Sequence, residues 1–343
     1  MVSNNKNLSF EEIEDEIINL LDDEEQQFIF LTGAAGTGKS TLLEHVKNQL
    51  DKKKMVVAPT GIAALNIGGT TINSAFRIGF DTIPEITKSK DPRFGKLLKN
   101  LELLIIDEIS MVRAPMLDAI SNSLQIHRNN MEPFGGVSVL ACGDLFQLPP
   151  VVKQHEENTI YQKYDSVYFF DAHSFKEIED PTFFELTKSF RQEEDDEFYE
   201  LLNNVRLGKD LESTIDKINS RCYEPTIEAD PFMTLTSRKN RAEDINYHKL
   251  SLNDNHEEVI KSKEIGELKD NDLPAPRELK IKKDAKVMFI KNDSDGRWVN
   301  GTVGVVTECL DKNKKCIKVK VAGKTHKVER EEWTKVKYTY DAD

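Results

Sequence analysis

The stretch Gly33-Ala34-Ala35-Gly36-Thr37-Gly38-Lys39-Ser40 decides the fold. It fits the phosphate-loop template G-x-x-x-x-G-K-[ST] at every fixed position. Phe28-Ile29-Phe30-Leu31 before it reads as a short buried strand, and Thr41 to Leu50 after it as a helix. Without that strand and helix the same residues would be an ordinary glycine-rich turn. With them, backbone N–H groups can cradle phosphate oxygens, and the helix N-terminus adds positive partial charge. In this reading Gly33, Gly36, Thr37, Gly38 and Thr41 surround the phosphates of ATP. Lys39 reaches the β- and γ-phosphates, and the Ser40 hydroxyl sits on Mg²⁺.

Outward from the loop, strands and helices alternate. Met55–Ala58, Leu103–Asp107 and Val137–Gly143 read as strands, with helical periodicity between them, as over Met116 to Ile126. That pattern predicts an α/β fold with a parallel, doubly wound sheet. Ser9 and Glu12 form a capping box ahead of Phe10, Ile13, Ile17 and Leu20–Leu21, which predicts an N-terminal helix. A second α/β segment is expected from Pro181, with Thr182–Leu186 and Met233–Thr236 as strands and Asp195–Arg206 and Arg241–Leu250 as helices. Near Asp272–Pro276 the texture changes to short alternating runs, Lys286–Ile290, Thr302–Thr307, Cys316–Val321 and Lys324–Val328. These predict a small antiparallel, barrel-like β unit. The expected division is 1–24 for the helix, 25–178 for the first domain with an insertion at 77–100, 179–275 for the second and 276–343 for the β unit.

Composition narrows the classes. A chain of 343 residues with a net charge of −13 is not coated in nucleic acid, although a local basic groove is allowed. Arg277 to Tyr340 holds 17 Lys/Arg against 9 Asp/Glu. That surplus fits either a phosphate-facing surface or a lysine-rich solvated sheet. Cys142, Cys222, Cys309 and Cys316 lack C-x-x-C or metal spacing and read as reduced core thiols. No apolar run is long enough to span a membrane, and the N-terminus lacks a signal pattern, so the expected location is cytoplasmic, with no membrane partner.

Further motifs carry chemistry. Asp107-Glu108 closes an apolar strand, where Asp107 can hold Mg²⁺ and Glu108 can deprotonate the attacking water. An acidic pair after a strand is otherwise a surface turn. Gly143-Asp144-Leu145-Phe146-Gln147-Leu148-Pro149-Pro150 closes another strand, and Gln147 can sense a γ-phosphate. Arg191, in Ser189-Phe190-Arg191-Gln192, is either an arginine finger or a surface arginine. Thr60 and Thr71 lie at helix starts suited to phosphate contacts, and Ser237-Arg238 offers a similar set. Phe76 is either a stacking platform for a base or a core phenylalanine.

FLTGAAGTGKSTLL (30–43), APTGIAA (58–64), TTINSAF (70–76), LLIIDEISMV (103–112), GDLFQLPP (143–150), LTKSFRQ (186–192) and KVMFIKND…WVNGTVG (286–304) occur in that order. Together they resemble the PIF-type branch of superfamily-one DNA helicases, related to RecD-like enzymes, from about Phe28 to Val306. The resemblance implies two RecA-like domains with an inserted β-barrel, ATP and Mg²⁺, and movement 5′ to 3′ on single-stranded DNA, with forked duplex as a further partner. It implies a monomer acting in DNA repair and recombination. It implies γ-phosphate contacts from Gln147 and Arg191. It also implies a DNA path along Thr60, Thr71, Asn73, Phe76, Leu148, Pro149, Ser237 and Arg238, and a strand-separating wedge at 77–100. Asn73 stands where the family usually has His. Gln26 and Gln27 lie too near the strand to read adenine, which leaves Asn4, Asn5 and Asn7. The family's last motif does not occur before Asp343, so a second domain lacking its final strands and a weak helicase are expected. Two other classes stay open: a nucleotide-gated single-stranded-DNA-binding module without unwinding, and a P-loop kinase with a small-molecule acceptor. Stimulation of ATP hydrolysis by single-stranded DNA separates the kinase from the other two.

Overall fold

Alternation of apolar side chains around Gly33 builds a sheet with two covered faces. The structure, a computed structural model, describes residues 8–23, 25–188, 196–221, 234–263, 265, 275–291, 293–309 and 316–332. The chain divides into two units, 1–224 and 225–343. The first runs α1 (Phe10–Asp22), β1 (Phe28–Gly33), α2 (Lys39–Gln49), β2 (Lys54–Ala58), α3 (Gly61–Asn66), β3 (Thr70–Thr71), α4 (Ile72–Phe76) and α5 (Pro92–Lys99). It continues with β4 (Leu103–Ile106), α6 (Ala114–Arg128), β5 (Ser138–Cys142), α7 (Gln154–Tyr161), α8 (His173–Lys176), β6 (Thr182–Leu186), α9 (Asp196–Leu207) and α10 (Leu211–Ser220).

The sheet order is β3-β2-β4-β5-β1-β6, and every pairing is parallel. On one face Phe28, Phe30, Leu104, Ile106 and Val139 pack against Leu117, Ile120 and Leu124 of α6. On the other, Ile29, Leu31, Leu103, Ile105 and Leu140 meet Ile13, Ile17 and Leu21 of α1 and Leu42 and Val46 of α2. Parallel strands covered on both faces read as continuous apolar runs, which is why β1, β4 and β5 were legible. The capping box of α1 forms as expected: Ser9 Oγ accepts from the Glu12 amide at 3.2 Å, and the Ser9 amide donates to Glu12 Oε2 at 2.7 Å.

Thr182–Leu186 was expected to open a second segment. It instead pairs with β1 from Ile29↔Thr182 to Gly33↔Leu186 and completes the first sheet. The missing side chain of Gly33 permits this: a Cβ there would lie 2.6 Å from the Leu186 carbonyl oxygen. The 77–100 insertion is partly built into the same body, with Phe94 and Leu98 of α5 in the α6-side core.

The second unit contains α11 (Lys239–Ser251), β7 (Glu257–Lys261), β8 (Glu278–Lys282), β9 (Lys286–Met288), β10 (Val303–Glu308), β11 (Cys316–Val321) and β12 (Lys324–Glu329). Strands β7 and β8 pair antiparallel, and β12-β11-β10-β9 form an antiparallel sheet over Val306, Val319 and Val321. Among the described residues these sheets are open rather than barrel-closed: β9 and β12 are not paired with each other. Met233 lies outside the described residues, and Thr234–Thr236 forms no strand. Several of these basic residues are paired on the surface, as in Lys291–Glu331 at 2.7 Å, Lys318–Glu308 at 2.6 Å and Lys327–Glu329 at 2.9 Å. That favours the solvated-sheet reading for these lysines.

Candidate nucleotide site and nucleic-acid surface

In the sheet β5 lies between β1 and β4, so the loops that leave their C-terminal ends are neighbours. Ligands in open parallel sheets collect at that edge. After β1, Gly36 and Gly38 take left-handed φ values of 81° and 87°, and Gly38 is the N-cap of α2. Only glycine adopts these angles without strain, and they turn backbone N–H groups inward. Thr37 is buried, its hydroxyl donating to the Ala34 carbonyl at 3.0 Å. Lys39 folds back so that Nζ donates to the carbonyls of Gly33 at 2.8 Å and Ala34 at 3.0 Å. Ser40 and Thr41 stand exposed on the first turn of α2.

After β4, Asp107 is buried and accepts from the Glu108 amide at 2.9 Å. Burial pushes its carboxyl above the usual range, while the Glu108 amide, Lys39 and a hydrogen bond from Cys142 pull the other way. Glu108 is held at a φ of 52°. Its carboxyl is also raised, first by burial, then by the charges of Asp107 and Asp144, with Lys39 opposing. A carboxylate made more basic in this way is suited to take a proton from water. A hydroxyl at Ser40 and one carboxylate at Asp107 suit a hard divalent cation that is held mostly through phosphate oxygens. No cluster of three or more His, Cys, Asp or Glu occurs among the described residues that would hold a metal by itself.

After β5, Gln147 Nε2 donates to Asp144 Oδ2 at 3.0 Å. Arg191 lies outside the described residues, as do Asn4, Asn5 and Asn7. Gln26 is occupied elsewhere, donating to the carbonyls of Pro133 at 2.6 Å and Val137 at 3.2 Å.

The DNA-path residues divide. Thr60 caps α3 by accepting from the Ala63 amide at 3.3 Å, and Thr71 caps α4 through the Ser74 amide at 3.3 Å. The Asn73 amide is engaged in the following turn, donating to Ile78 and Gly79 carbonyls at 3.1 Å each. Leu148, Pro149, Ser237 and Arg238 are exposed. Phe76 is a correction: it is 3% exposed and packed in the α6-side core, so its ring has no face to offer a base. Among the described phenylalanines, the exposed ones are Phe80 and Phe146, and Phe146 lies in the same loop as Leu148.

Cys142, a core thiol by sequence, is buried, and burial followed by the charge of Asp107 pushes its pKa up. Two participants were invisible in the sequence. Buried Asp144 and half-buried Arg206 form an ion pair at 3.0 Å. No spacing rule links residues that far apart in the chain.

A family model described as PIF1-like helicase matches residues 5–216. The chain belongs to the PIF1-like helicase family. Similar proteins include ATP-dependent DNA helicase Pif1 of Bdellovibrio bacteriovorus, 35% identical over 297 residues, 82% of this chain and 63% of that protein. ATP-dependent DNA helicase PIF1 of Saccharomyces cerevisiae is 35% identical over 301 residues, 82% of this chain and 34% of that protein. The chain thus spans less than two thirds of the length of either relative. Among solved structures, Bacteroides Pif1 bound to single-stranded DNA superposes with a TM-score of 0.85 at 35% identity, covering 98% of this chain and 78% of that one. Family membership gives the loop after β1 the setting that the sequence resemblance implies.

Proposed function

We propose that this chain is an ATP-dependent 5′–3′ DNA helicase or translocase acting on single-stranded DNA. The observation that carries the reading is the convergence of Lys39, Asp107, Glu108 and Gln147 at one edge of a parallel sheet, in a family whose named members are ATP-dependent DNA helicases. In this reading the loop amides and Lys39 bind the phosphates of ATP. Ser40 and Asp107 would hold Mg²⁺, which would neutralise charge on the phosphates. Glu108 takes the proton of the attacking water, and Gln147 meets the γ-phosphate. The relatives solved with single-stranded DNA and described at forked duplex support the same partners for this chain. The test is ATP hydrolysis with and without single-stranded DNA, then unwinding of a fork with a 5′ tail. Absence of stimulation by DNA removes the translocase reading, and unwinding only from a 3′ tail removes the polarity. We take the acting species to be a monomer, although one related structure is described as two coordinating helicases. A sedimentation measurement on DNA settles that number.

Phe146 replaces Phe76 as the stacking candidate. It is 61% exposed in a loop shared with Leu148 and Pro149. Phe146→Ala is expected to weaken single-stranded DNA binding by about 1–3 kcal/mol while leaving the melting temperature in place. Anisotropy titration at fixed salt measures it, and unchanged affinity rejects the assignment.

A further inference from the structure

The loop after β5 contains a buried carboxylate. Asp144 is 1% exposed. It accepts four hydrogen bonds: from the Phe146 amide at 3.1 Å, Gln147 Nε2 at 3.0 Å, Arg206 Nε at 3.2 Å and Arg206 Nη2 at 3.0 Å. The guanidinium also lies 4.6 Å from the centre of the Phe146 ring. Burial alone would push the Asp144 carboxyl up. The donors, Arg206 foremost, outweigh it and hold the group below the usual carboxylate range.

A two-pronged guanidinium fixes the plane of a carboxylate as well as its charge. An ionised, oriented carboxylate can only accept, so it selects the N–H₂ end of a neighbouring amide and repels the carbonyl end. Gln147 is therefore anchored by Nε2, with one N–H of that group still free to donate. A γ-phosphate, itself an acceptor, needs that end. Without Arg206, Asp144 is a buried carboxylate short of two donors. It then either takes a proton and attracts the amide carbonyl, or turns toward other donors. Both outcomes misdirect Gln147.

We propose that Arg206, on α9, is a positioning residue that acts through Asp144 to set which end of the Gln147 amide faces the γ-phosphate. The inference rests on the reading that Gln147 meets that phosphate. It adds to it that α9 is tied to the nucleotide sensor.

The test compares affinity for Mg·ADP with affinity for Mg·ADP plus aluminium fluoride, a mimic of the transferring phosphoryl group, using the full chain. The parent should prefer the mimic. Arg206→Gln should lose about tenfold of that preference, the scale of one hydrogen bond to a charged group. Its ADP affinity should stay within about twofold, so a merely structural role would not produce the pattern. Arg206→Lys keeps the charge without the fork and should recover part of the preference; it also serves if Arg206→Gln folds poorly. Adding Asp144→Asn to Arg206→Gln should cost nothing more, since both act along one chain of contacts. Parental preference in Arg206→Gln overturns the inference, as does equal loss for ADP and mimic. Parental preference in Gln147→Ala removes the reading of Gln147 itself, and the role of Arg206 with it.

Discussion

Glu108→Gln should bind ATP about as well as the parent chain and hydrolyse it roughly 10²–10⁴-fold more slowly. The substitution keeps the shape of the side chain and removes its capacity to accept a proton. Nothing in the phosphate loop depends on it: Lys39 holds the loop carbonyls, and Asp107 holds the Glu108 backbone amide rather than its side chain. Lys39→Ala should behave differently. It removes the cation nearest the carboxylates, so nucleotide affinity and turnover fall together. Equilibrium binding of a fluorescent ATP analogue, alongside phosphate release, separates the two patterns. Near-parental hydrolysis by Glu108→Gln would show that another group takes the proton.

Phe76→Ala should destabilise the chain by roughly 3–5 kcal/mol, the usual cost of emptying a buried phenylalanine site. Phe76 is 3% exposed and shares the core with Ile72, Ile78, Phe94 and Leu98. Single-stranded DNA affinity of the molecules that remain folded should not change. Thermal melting and an anisotropy titration below the melting range measure the two effects. The opposite pattern, with lost DNA affinity and an unchanged melting temperature, would return the ring to the DNA surface.

The contrast between Phe76 and Gly33 shows what the sequence could carry. The phosphate loop is local, and the strand, glycines, lysine and helix lie within a few turns of chain. β4 and β5 were legible for the same reason, since a strand buried on both faces is a continuous apolar run. The face of Phe76 was not legible, because α4 has five residues and so short a helix has no periodicity from which to choose a face. The place of Thr182–Leu186 was not legible either. Pairing depends on which strand has a free edge, and β1 offers one beside a glycine that admits a close carbonyl. Asp144 and Arg206 lie 62 positions apart, and only the folded chain brings them together.

The position of β6 carries a consequence for synthesis. β1, which bears the phosphate loop, leaves the ribosome well before its outer neighbour, Thr182–Leu186. Until those residues emerge, the strand that ends in Gly33 is a bare edge with unpaired backbone donors and acceptors. Such an edge recruits other chains. A nascent or cleaved product ending shortly before Thr182 would still contain the whole loop motif yet be prone to self-association. The shortest fragment to express as a soluble nucleotide binder should therefore extend past Leu186. To keep the Asp144 partner it should also include Arg206.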